Sequence, residues 1–110
     1  GAFAQNITNP AAYAIDCGAG NYFYKTATAG AQTFTFTNVP GSRFYAFVLE
    51  LTNGGLATIT WPAAVRWPQG LVPTFQTAGV DVLTFVSDDG GTTWRGVVSM
   101  ADSKTTGGTP

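Results

Sequence analysis

Glycine, proline or asparagine interrupts this chain every few residues, and between those breaks apolar residues recur at every second position. A period of two sends alternate side chains to opposite faces of an extended strand, whereas a helix needs apolar positions three and four apart. No stretch keeps the helical period over three turns. Segment 32–37 (QTFTFT) sets Phe34 and Phe36 against Thr33, Thr35 and Thr37. Segment 43–52 places Tyr45, Phe47, Leu49 and Leu51 on one face and Phe44, Val48 and Glu50 on the other. In segment 80–87, Leu83 and Phe85 oppose Val80, Val82 and Val86, and segments 22–28, 56–61 and 92–100 complete the set. Asn38, Pro40 and Gly41 form one turn, and Asn53, Gly54 and Gly55 another. Pro62, Pro68 and Pro73 mark an irregular or edge segment, because proline offers no amide to a central ladder. The pattern predicts an all-β fold, an antiparallel β-sandwich of jelly-roll type.

A chain of 110 residues holds one such domain. Residues 1–12 read as an N-terminal segment or linker, 13–100 as the β-domain, and 101–110 (ADSKTTGGTP) as a flexible tail. With five basic and six acidic residues and no basic run, little draws the chain to nucleic acid or anionic lipid. No apolar run reaches the ~18 residues that a membrane-spanning helix needs, so insertion into a membrane is not expected.

Catalytic chemistry is poorly provided for. The chain has no histidine, hence neither the commonest general base nor the commonest zinc ligand. The lone Cys17 has no partner for a disulfide and no imidazole to activate it, and reads as a buried, inert thiol. Asp16, Glu50, Asp81, Asp88, Asp89 and Asp102 read as turn and strand-surface carboxylates. The expectation is a non-enzymatic chain without cofactor, metal or catalytic residues.

The most specific local motif is Ser87-Asp88-Asp89-Gly90-Gly91-Thr92-Thr93-Trp94. It resembles the Asp box, S-x-D-x-G-x-T-W, of sialidase propellers and several unrelated β folds. Ser87, Asp89, Gly91, Thr93 and Trp94 are its structural positions: Asp89 accepts backbone N–H bonds across the turn, Gly91 takes a backbone shape closed to other residues, and Trp94 packs beneath. The motif predicts a turn, since a single 110-residue domain with Arg43, Arg66 and Arg95 cannot supply a propeller active site.

Two further features point outward. Large apolar residues occupy both faces of two strands, where a lone two-layer domain would leave one face polar. Phe44, Val48, Val80, Val82 and Val86 are therefore candidate subunit-interface residues. Among the tryptophans, Trp61 continues the alternation of Ile59 and points inward. Trp67, between Arg66 and Pro68, is expected to be partly exposed, and Trp67 with Arg66 is the candidate ligand contact.

The order TFTFTNVP (33–40), FVLELTNGG (47–55), TITWPAAVRWPQG (58–70) and VDVLTFVSDDGGTTW (80–94) resembles a β-domain of bacteriophage virion proteins, tail fibres and tail-associated proteins above all. The resemblance covers roughly residues 14–98. It departs from the family at Arg95, where an aromatic is common, and in the TGGTP tail. It implies a virion structural component on the tail or capsid exterior, packed as a homotrimer, in contact with other virion proteins and with a host surface glycan. A capsid decoration or cement protein, and a carbohydrate-binding module of a larger enzyme, are the alternatives.

Overall fold

The computed structural model describes the backbone of residues 7–8 and all of residues 12–105. The regular structure of the described residues is β-strand apart from two single-turn 3-10 helices, Gly54–Leu56 and Pro68–Gly70. Ten strands follow one another: β1 (Ile7–Thr8), β2 (Ala14–Asp16), β3 (Tyr22–Thr26), β4 (Gly30–Thr33), β5 (Thr35–Thr37), β6 (Tyr45–Thr52), β7 (Ala57–Thr60), β8 (Val65–Arg66), β9 (Val80–Ser87) and β10 (Trp94–Met100). They form a six-stranded sheet, ordered β1-β3-β6-β9-β10-β8, and two small pairs, β2-β5 and β4-β7.

The registers correct the antiparallel pairing expected from the sequence. Among the described strands only β6-β9 and β9-β10 run antiparallel, while β1-β3, β2-β5, β3-β6, β4-β7 and β8-β10 are parallel. Three of these parallel pairs share one cause. The chain winds through β2, β3 and β4, then repeats the circuit through β5, β6 and β7, laying each strand on its counterpart one coil earlier. Ala14 meets Thr35, Tyr22 meets Val48, and Gly30 meets Ala57. Strands β9, β10 and β8 extend the middle wall into the six-stranded sheet.

The corners explain why turn residues mislead here. Asn53-Gly54-Gly55 is a turn, but a corner and not a hairpin, since β6 and β7 on its two sides pair with different strands. Asn53 is left-handed at φ 59°, and its carbonyl accepts the Leu56 N–H at 3.1 Å. A Cβ on Gly55 would lie 2.4 Å from the Phe75 carbonyl oxygen, so the corner tolerates no side chain there. Likewise segment 32–37 is not one strand. It turns at Phe34, and β4 and β5 on either side pair with different partners, although Phe34 and Phe36 both face the core.

The core lies between the six-stranded sheet and the two small pairs. Phe23, Phe47, Leu49, Leu51, Leu83, Phe85 and Trp94 line the inner face of the large sheet and are buried. Phe36 of β5 sets its ring 5.0 Å from Phe47, 5.3 Å from Phe85 and 5.2 Å from Trp94. Phe34 lies between the edge of Tyr13, at 5.0 Å, and the stacked ring of Trp61, at 4.7 Å. Such ring pairs contribute about 0.5–1.5 kcal/mol each beyond area burial. Asp81 is also buried, and its carboxylate accepts the Gln76 N–H and the Asp102 N–H, each at 2.9 Å. Ser103 donates its N–H to the Val80 carbonyl at 2.7 Å. The tail expected from Ala101 is thus tied to β9 as far as Ser103, and residues 106–110 lie outside the described chain.

Candidate functional site

The Asp-box segment joins β9 to β10, and its hydrogen bonds close on two side chains. Asp89 Oδ1 accepts the Thr93 N–H and the Ser87 hydroxyl, both at 2.9 Å, while Ser87 Oγ accepts the Gly91 N–H at 3.0 Å. Gly90 at φ 71° and Gly91 at φ 90° take the left-handed region that glycine enters without strain. The Thr93 amide above all holds the Asp89 carboxyl below its ordinary range; desolvation opposes it, and the Ser87 hydroxyl adds to the lowering. Trp94 is buried beside Phe36, Phe47 and Tyr45. The Ser87 hydroxyl and the Asp89 carboxylate are both spent on holding the turn.

The outer face of the large sheet has a different character. Strand alternation and register assemble three rows across it. Ala46, Val86, Arg95 and Arg66 form the first, Tyr22, Val48, Thr84 and Val97 the second, and Tyr24, Glu50, Val82 and Met100 the third. The structure therefore brings Val48, Val82 and Val86 together on one face, with Val80 beyond them opposite Thr52. Phe44 precedes β6 and is 68% exposed at the rim of a small hollow shared with Val86, Ser87, Asp88 and Arg95. Cross-strand neighbours of this kind stabilise one another even without a partner. The only carboxylate in these rows, Glu50, accepts the hydroxyl of Tyr22, which raises the phenol above its ordinary pKa.

Arg66 and Trp67 stand at the other end of this face, and Trp67 departs from expectation. It is buried, at 8% exposure, because its ring packs edge-on against Trp61 at 5.4 Å and Phe85 at 5.6 Å. The two tryptophans flank β8, whose pairing with β10 carries Trp67 under the sheet edge instead of into solvent. Its remaining surface helps line a cavity of about 380 Å³ with Arg66, Pro68, Thr84, Val86, Arg95, Gly96 and Val97. No motif marks Arg95 and Val97 as site residues; only alternation around the buried Trp94 places both on the outer face.

Asp16 and Asp81 are held by hydrogen bonds within the fold, and Cys17 is buried. Asp16 Oδ1 accepts the Gly18 N–H and the Asn38 side-chain amide, each at 2.9 Å. Asp81, read from the sequence as a surface carboxylate, is buried because the backbone amides of two connecting segments supply its partners. Burial pushes the Cys17 thiol up to about 11, with Asp16 adding to the rise and a hydrogen bond with Tyr45 working against it. A thiol so placed is protonated at neutral pH and a poor nucleophile. Comparison with known proteins finds no matching family model, no similar curated protein and no similar solved structure.

Proposed function

We propose that this chain is a non-enzymatic structural domain of a bacteriophage virion, a tail fibre or tail-associated component that assembles as a homotrimer and takes part in attachment to the host surface. The virion assignment rests on the sequence resemblance, in which W-P-x-x-V-x-W-P (Trp61 to Pro68) and the Asp-box segment are the most specific parts. One structural observation carries the assembly half: an outer sheet face whose rows bring together Val48, Val82 and Val86, each half-buried, and Val97, exposed. A face of that composition gains by meeting a second surface, since contiguous apolar patches are uncommon on monomers. In this reading the domain is a β-sandwich in its layering, with the two small pairs as the second layer, and a coil in its connectivity.

The test is the solution mass across a concentration series. A stable mass three times the 11.5 kDa of the chain, lost in Val48→Lys and in Val82→Lys, is the expected result. A mass that stays at one chain at every concentration would remove the assembly half. The pocket beside Arg66 favours, as a second reading, a carbohydrate-binding module, which needs no trimer.

A further inference from the structure

We infer that the hollow between β8, β9 and β10 binds a sugar that carries a carboxylate. This specifies the attachment half of the proposed function and rests on that reading for its biological setting, but the site is argued from its own geometry.

Arg66 and Arg95 lie directly opposite each other in the parallel register of β8 and β10, and both are exposed. Like charges directly opposite in a sheet destabilise it. Neither arginine has an ion-pair partner: among the described residues the only ion pair within 4.0 Å is Lys104 with Asp102, just past the far end of β10. Asp88 shares the adjoining hollow with Phe44 and Arg95 but does not line this one. Two arginines thus line one cavity without an ion-pair partner, with Asp88 close to Arg95 alone. A planar carboxylate is the group that an arginine fork engages with two parallel hydrogen bonds.

The rest of the cavity fits a ring and not a simple ion. Val86, Val97 and Pro68 supply apolar walls, and the backbone of Gly96 forms part of the floor between Arg95 and Val97. A Cβ at Gly96 would lie 2.7 Å from Phe85 and 3.1 Å from the Trp67 ring, so the aromatic layer comes up to the backbone beneath the cavity. Sugars present an apolar C–H face and a polar rim, and this site offers both. At about 380 Å³ the cavity is near the lower end of ligand pockets, which suits one pyranose unit of a chain better than a folded protein partner.

The test is titration of the isotope-labelled domain with trigalacturonate and, separately, with its fully methyl-esterified form, followed by the Trp67 indole N–H and the amides of Arg66, Arg95, Gly96 and Val97. The acid is expected to shift these signals saturably, with the ester at least about tenfold weaker and the affinity of the acid falling as salt is added. Arg66→Gln and Arg95→Gln should each weaken binding by about fivefold or more, and Asp88→Asn, by removing a neighbouring negative charge, should strengthen it about twofold. The proposal is overturned if the ester binds as well as the acid, if both glutamine variants bind like the parent, if inorganic phosphate displaces the acid at equal concentration, or if no signal in the hollow shifts at ~10 mM ligand. Mass measured on the same samples separates the two claims. Trimers that bind no sugar defeat only this site, and monomers that bind it defeat only the assembly reading.

Discussion

Replacing Asp81 with alanine tests how the last third of the chain is held. The Asp81 carboxylate is 1% exposed, with one oxygen accepting the Gln76 N–H and the other the Asp102 N–H, both at 2.9 Å. It therefore clamps the loop before β9 and the segment after β10 to the same point. Hydrogen bonds to a charged acceptor contribute roughly 1.5–3 kcal/mol each, and removing the acceptor also strands two amides. Relief of the carboxylate's desolvation offsets part of this, leaving a net loss of about 3 kcal/mol. For a chain of this length that is a fall of about 15 °C in Tm. Asp81→Asn keeps the volume but points an N–H₂ group at one of the two amides, and should lose about 2 kcal/mol. Urea unfolding followed by tryptophan fluorescence gives the first readout and amide hydrogen exchange at Gln76 and Asp102 the second. An Asp81→Ala protein within ~0.5 kcal/mol of the parent, with both amides equally protected, would refute the clamp.

Three other outcomes follow from positions described above. Gly55→Ala should cost about 2–3 kcal/mol in the same urea assay, since the new methyl meets a backbone carbonyl that cannot rotate away; an unchanged midpoint would show that the corner can shift. The Asp89 carboxyl has its pKa lowered by folding, so its contribution is present above the ordinary ~3.9 and is lost as pH falls through the folded value. The Gly91 and Thr93 amides should accordingly lose protection in that acid range, and Asp89→Asn, whose side chain does not titrate, should show no such step. Cys17, raised to about 11, should resist iodoacetamide at pH 8 in the folded protein and react in urea; equal rates in the two states would contradict its burial.

The faces of the strands were legible in the sequence, and their partners were not. Alternation in Val80–Ser87 is enough to separate Leu83 and Phe85 from Val82 and Val86, because a strand buries one face whichever neighbour it has. Parallel and antiparallel strands share that period, so nothing in residues 22–26 announces that Tyr22 lies beside Val48 and not at the end of a hairpin. The Asp-box turn was legible because its bonds are local, all within four residues. Trp67 was not, because its burial depends on Trp61 and Phe85, which the fold brings to it. The pairing of Arg66 with Arg95 needs the register of two strands far apart in sequence, and no motif spans that distance.

The coiled path of β2 to β7 also bears on how the chain reaches its fold. Each strand of the second coil must find a partner one full circuit back, Ala14 for Thr35 and Gly30 for Ala57, so none of these pairs can close through a tight turn. The β9-β10 hairpin is different, since the Asp89 turn joins its strands directly. It is the one long pairing that can form early at small entropic cost, and β6 can then dock on its free side by its own antiparallel register. With the remaining contacts spanning whole circuits, folding belongs to the millisecond-to-second range of non-local β topologies, and until β6 docks, the edge of β9 stays open to strands of other chains.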